Sequence, residues 1–309
     1  MGLALSTAWN GFRHEDGKGI IREIRELGFK EVELSFNLTQ RIVDDIAGIV
    51  KKGEIKVVSL HNFCPIPEGL KREVALPDCY SVSSIDEENR RQAVKFTKIS
   101  IDTALRLNAR AVVMHCGRVE IKDRTRDLLF LYNLKGMADT PECLDLKETM
   151  RRERGEKAQG HFQAALKSLE ELSGYAAKQN ISLGVENRYY FREIPSFEET
   201  GEIFRRFKGS NLFYWHDTGH AQLWENLGFL KHKDYLDNYS PYLLGMHLHD
   251  INGGDDHLAP LNGTLDFKAF KPYLKKDTIK TLEAHHPASA KDMVKAREYL
   301  EEIYSNKLE

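Results

Sequence analysis

Eight short apolar runs punctuate the chain: LALST (3–7), EVELS (31–35), VVSLH (57–61), AVVMH (111–115), SLGVE (182–186), LFYWHD (212–217), LLGMHLHD (243–250) and IKTLEAH (279–285). They are rich in Val, Ile, Leu and aromatic residues and too short for helices, so they predict strands. Amphipathic stretches lie between them. GIIREIRELG (19–28) puts Ile20, Ile24 and Leu27 on one stripe and ends in glycine, and residues 88–108, 161–180 and 292–304 repeat the helical period. Strands alternating with helices predict a parallel sheet with helical crossovers, and a count of eight predicts an α/β fold of the (β/α)8 or TIM-barrel kind. A doubly wound open sheet is the alternative. However, LALSTAWNGFRH contains no GxGxxG and no GxxxxGK[ST] occurs anywhere, so no nucleotide cofactor is expected. The expected organisation is one barrel domain over 1–309, with long insertions at about 62–86 and 116–159 on the C-terminal rim. The second is densely charged with both signs, as a solvated insertion or a lid would be.

The polar residues fall at the strand ends. His61, His115, Glu186, Asp217, His247 and Glu283 each sit at or near the C-terminal end of a predicted strand, which in a (β/α)8 barrel is the catalytic face. Period-two alternation puts Val57, Ser59 and His61 on one face, and likewise Gly184 with Glu186, Phe213 and Trp215 with Asp217, His247 with His249, and Glu283 with His285. His216 should point outwards. Singly, each has a plain reading as a core histidine or a salt-bridged rim acid. Together, several carboxylates in one mouth repel one another unless a positive charge sits among them. A divalent cation supplies it, and a carboxylate and imidazole set without thiolate suits Mn²⁺, Co²⁺, Zn²⁺, Mg²⁺ or Fe²⁺. DTGH (217–220) adds His220 one turn beyond Asp217. DDH (255–257) returns further donors from a loop whose Gly253, Gly254 and Gly263 allow it to fold back.

Composition narrows the partners. The 309 residues carry 45 basic and 47 acidic side chains, a net charge of −2, which is poor material for holding nucleic acid by a general positive field. No run approaches a membrane span, and the first residues lack the pattern of a signal peptide. Cys64, Cys79, Cys116 and Cys143 form no CxxC pair, so reduced thiols and a cytoplasmic setting are expected. A homo-oligomer is compatible with all of this.

The markers SLH, MHCG, GVEN, HDTGH, HLHDINGGDDHLAPLNG and LEAH, in this order, resemble the xylose isomerase-like barrel superfamily over nearly the whole chain. That group includes sugar and sugar-phosphate isomerases and epimerases, inosose dehydratases and the endonuclease IV type of DNA-repair enzyme. The resemblance to its isomerases implies one metal on Glu186, Asp217, His247 and Glu283, with the two glutamates moving a proton on the carbon next to a carbonyl and His220 near the substrate. The resemblance to the repair branch implies two further ions, on His61, His115, His220, Asp255 and His257. Two departures bear on the choice. Asp256 stands where the repair enzymes carry an arginine, and no arginine occurs between 247 and 266, where ketose 3-epimerases place one.

The expected activity is therefore a divalent-metal-dependent sugar or sugar-phosphate isomerase or epimerase of carbohydrate metabolism. The alternatives are an endonuclease IV-like hydrolase on abasic DNA, or a related dehydratase or lyase. Glu186, Glu283 and His220 are the catalytic candidates. Arg188, Arg192, His249 and Trp215 are the candidates for substrate contact. The arginines would grip a phosphate or carboxylate, unless they form a rim salt bridge with Glu193, and Trp215 would join Tyr189, Tyr190 and Trp224 in a sugar-facing wall.

Overall fold

The computed structural model describes residues 2–305. Eight parallel strands close into a barrel: β1 (Leu3–Ser6), β2 (Glu31–Leu34), β3 (Lys56–His61), β4 (Ala111–Met114), β5 (Ser182–Glu186), β6 (Leu212–Asp217), β7 (Leu243–Leu248) and β10 (Ile279–Leu282). Each was legible as an apolar run. Between β7 and β10 lies an antiparallel hairpin that the apolar pattern did not announce, β8 (Asp250–Asn252) with β9 (Asp255–Leu258). Among the described residues the α-helices are α1 (Gly17–Glu26), α2 (Gln40–Lys51), α3 (Glu87–Arg106), α4 (Thr125–Lys135), α5 (Pro141–Lys178), α6 (Phe197–Arg206), α7 (Thr218–Asn226), α8 (His232–Tyr239) and α9 (Ala290–Ser305). Ile20, Ile24, Ile42 and Ile46 show how α1 and α2 turn apolar stripes onto the sheet and join the main core between strands and helices. No helix among the described residues is long and apolar enough to cross a membrane.

The charged stretch read as an insertion is largely helix. The start of α5 is a Thr140 cap that accepts from the Cys143 N–H at 3.4 Å, followed by Pro141 at the first helical position. Much of its first half is exposed, which explains why no apolar stripe marks it.

A separate cluster of Ala4, Val58, Ala111, Val113, Trp215, Leu244 and Ile279 plugs the barrel interior below the rim. Trp215 is its bulkiest member, fully buried and lying against Gly184 and Gly245, where an added Cβ would stand 2.8 and 2.4 Å from its ring. Two register shifts interrupt the ladder. Val58 is an extra residue on β3 opposite Val32 and Glu33, and Leu244 is an extra residue on β7 opposite Tyr214 and Trp215. Such bulges re-aim the side chains beyond them. Val57 therefore packs outwards, against the expectation that it shares the face of His61, while Val58 fills the plug and Ser59 and His61 turn to the barrel axis.

Candidate metal centre

Above the plug, the ends of β5, β6, β7 and β10 bring Glu186, Asp217, His247 and Glu283 together, with one donor atom of each within 4.8 Å of all the others. His247 is the hub. Its Nδ1 lies 2.6 Å from Glu186 Oε1, 2.8 Å from Glu283 Oε2 and 3.8 Å from Asp217 Oδ2. Its Nε2 lies 3.0 Å from Oε1 of Glu33, a fully buried carboxylate on β2 whose Oε2 accepts from Ser59 Oγ at 2.6 Å. Glu33 was not singled out from the sequence. Its signal was an acid set between the buried apolar residues Val32 and Leu34.

Asp217 has two duties. It caps α7, accepting from the His220 N–H at 2.8 Å, so the helix starts directly at the strand end and His220 falls in its first turn. Asn187, also missed, clamps the same residue: its Oδ1 accepts from the Asp217 N–H at 2.8 Å and its Nδ2 donates to the Asp217 carbonyl at 3.0 Å. His220 Nδ1 faces the Asn187 carbonyl at 3.0 Å, and the ring lines the cavity above the centre. His216 points outwards as expected, to Tyr214 at 2.8 Å and His232 on α8 at 2.9 Å.

The charges balance only through close pairing. Burial pushes the Glu186 carboxyl up, but Arg188 and the imidazoles of His115 and His247 outweigh it and hold it well below the usual carboxylate range. Burial opposes the Asp217 carboxylate in the same way and is overcome by His220 and His249. Burial also works against a charged His247, yet Glu283, Glu33 and Glu186 outweigh it and keep its proton on to well above the ordinary histidine range. Asp217 raises His249 to about 9 against the effect of burial.

This arrangement fits a cation. Three carboxylates and one imidazole converge with the span that metal–ligand bonds of about 2.0–2.6 Å can bridge, and the set lacks sulfur. Two further donor groups adjoin it, His61 with His115 and Glu186, and His220, His249 and His257 with Asp217.

Five expectations need correction. Asp255 is exposed on the hairpin and joins none of these groups. His257 takes a positive φ of 54°, which breaks strand alternation, and it is Asp256 that lines the cavity, 2.8 Å from His257 Nδ1 and 3.9 Å from His220 Nε2. Trp215 sits one layer too deep to touch a ligand, because two residues along a strand is a step of about 6.6 Å. His249 is fully buried beneath the rim, its Nε2 2.8 Å from Asp217 Oδ1 and its Nδ1 accepting from the His257 N–H at 2.9 Å. Arg188 is spent internally on Glu186, on Glu193 at 3.0 Å and on His115 at 2.7 Å, so the salt-bridge reading is the correct one for it. Trp224 likewise turns away and donates to the Arg188 carbonyl at 2.7 Å.

The cavity above the centre measures about 420 Å³, within the range of small-molecule pockets. Tyr189, Tyr190, Arg118, Arg126 and Arg192 line it. Arg118 is paired with Asp78 at 3.0 Å, whereas Arg192 reaches only the Ile121 carbonyl at 3.4 Å and its buried Nε has no partner among the described residues. The hairpin that carries the lining residues Asp256 and His257 is braced from behind: Asp250 accepts from the backbone N–H groups of Ile251, Gly263 and Leu265 at 2.9 Å each and of Leu261 at 3.1 Å, which folds the segment after β9 onto the hairpin.

Comparison with known proteins agrees with this architecture. The uncharacterized protein y4fM of Sinorhizobium fredii is 24% identical over 89% of this chain and 84% of its own length. A D-tagatose 3-epimerase-like protein superposes with a TM-score of 0.71 at 19% identity, covering 99% of this chain and 97% of its own. The 3-keto-D-glucoside 4-epimerase YcjR of E. coli gives 0.68 at 17%, covering 98% and 99%. IolI, solved with a bound zinc atom, gives 0.65 at 14%, covering 99% and 98%. The family model for the xylose isomerase-like TIM barrel matches residues 21–303, and the chain belongs to that family.

Proposed function

We propose that the protein is a divalent-metal-dependent isomerase or epimerase of a small sugar or sugar phosphate. The observation that carries this reading is the four-residue cage of Glu186, Asp217, His247 and Glu283 at the floor of a sugar-sized cavity. Structural relatives named as sugar epimerases, and one that holds zinc, support it. A bound dication supplies Lewis-acid polarisation of a carbonyl and the neighbouring hydroxyl. The chain's own groups do the rest. Glu283 lines the cavity and meets His247 through one oxygen only, so its other oxygen is the one placed to take a proton from carbon. Glu186 has both oxygens engaged and stays ionised, which makes it a poorer proton carrier than the pairing of two equivalent glutamates would suggest. His220, held through Nδ1, presents its other nitrogen to a substrate hydroxyl. Arg192 is a cation available for a phosphate or carboxylate.

The test is exchange in D₂O of Mn²⁺-loaded protein with a panel of ketoses and ketose phosphates. Deuterium should enter at the carbon beside the carbonyl, and Glu283→Gln should slow this by at least about 100-fold. A wild-type protein that labels nothing in the panel would remove the reading. The second reading, phosphodiester hydrolysis at abasic DNA, is favoured by the two adjoining donor groups, which share Glu186 and Asp217 with the cage. Nicking of an abasic-site duplex by the metal-loaded protein would establish it.

A further inference from the structure

We infer that Arg188 is a built-in cation occupying the His61–His115–Glu186 corner, so that this corner takes no metal ion and the centre holds at most two. This rests on the reading of the cage as a metal site. Arg188 lies two residues beyond the end of β5 and turns back inwards until it is 3% exposed. One guanidinium nitrogen bonds Glu186 Oε2. The other reaches Glu193 Oε1 at 3.0 Å and His115 Nδ1 at 2.7 Å.

Arginine only donates, so His115 must present a lone pair at Nδ1 and carry its ring proton on Nε2. That Nε2 lies 3.0 Å from Glu186 Oε2 and donates to it. Both nitrogens of His115 are therefore engaged, and neither has a lone pair left for a metal. Glu186 Oε2, the oxygen on this side, already faces a positive charge, and a second cation beside the guanidinium would be repelled. His61 is left as a single donor, its Nδ1 3.1 Å from the Asn62 carbonyl.

The guanidinium is also anchored from behind. Glu193 Oε2 accepts from the Tyr190 N–H at 2.8 Å, and the Arg188 carbonyl accepts from Trp224 Nε1 at 2.7 Å. An acid outside the cage thus holds Arg188 in place, and ejecting it would leave a buried carboxylate unpaired. The corner so closed is the one a three-ion phosphodiester centre requires, so the geometry favours sugar chemistry over strand cleavage.

The experiment counts ions on the full-length protein, stripped with chelator, reloaded with excess Zn²⁺, desalted and measured by plasma mass spectrometry. Wild type should hold one or two ions per chain, and His115→Ala should hold the same number. Arg188→Met should hold one more, and the gain should vanish in Arg188→Met combined with His115→Ala. Three ions in wild type, a count that falls by one in His115→Ala, or a folded Arg188→Met with no gain would each overturn the assignment. If Arg188→Met does not fold, the comparison of wild type with His115→Ala decides alone. A wild-type count of zero fails the metal reading of the cage itself, whereas a count of three fails only the role given to Arg188.

Discussion

Replacing Glu33 by glutamine tests how the centre is tuned from beneath. Glu33 does not line the cavity above the centre, yet its Oε1 stands 3.0 Å from His247 Nε2 while Nδ1 faces the three cage carboxylates. Nδ1 is thus the nitrogen for a metal, and Nε2–H donates to Glu33, a pairing that fixes the ring and raises its basicity. Glutamine keeps the shape and can keep both hydrogen bonds, since Ser59 Oγ, 2.6 Å from Oε2, can accept as readily as donate. Only the charge is lost. Changes of this kind cost about 10–100-fold in metal affinity, or about 1.4–2.7 kcal/mol. Competition for Zn²⁺ against a chromophoric chelator at fixed pH reads this directly, and thermal unfolding of the metal-free variant controls for folding. A folded Glu33→Gln binding within twofold of wild type would refute the argument that Glu33 acts through His247.

Two further outcomes follow from the same geometry. In the metal-free protein His247 keeps its proton well above the usual histidine range, so a cation must displace it: calorimetry at pH 7 in two buffers of different ionisation enthalpy should show about one proton released per ion, with apparent affinity falling about tenfold per unit as the pH is lowered. Buffer-independent heats would contradict this. Asn187→Ala strips the partners from the Asp217 N–H and carbonyl and should destabilise the fold by about 1–3 kcal/mol in urea titration while also weakening metal binding, and a variant unchanged in both would show that Asn187 does not position Asp217.

Much of the molecule could be read from the chain alone because two local signals agreed. Apolar runs marked the strands, and acids or imidazoles at their ends marked the rim. Six of those end residues, from His61 to Glu283, do gather in one cup. What escaped depended on third-dimensional detail. Glu33 hides inside a strand because its partner, His247, is 214 residues away. The bulges at Val58 and Leu244 shift facing by one residue with no sequence mark. For Arg188 the pairing with Glu193 was one of two readings open in the sequence, but its inward turn onto His115 and Glu186 had no sequence mark. Asp255 and Asp256 exchanged places because His257 leaves the strand conformation. The α5 helix had a readable start in TPE at 140–142, obscured by the charge that follows.

The Asp250 hub has a consequence for how specificity can change. Four backbone amides converge on one carboxylate, which braces the hairpin carrying the cavity residues Asp256 and His257 and joins it through the adjacent His249 to Asp217. Altering it would disturb the metal ligands. Arg118, Asp123 and Arg126, on the segment after β4, border the same space without contributing to the cage. New substrate preferences are therefore most easily acquired there, where residues can be exchanged while the chemistry below is left intact.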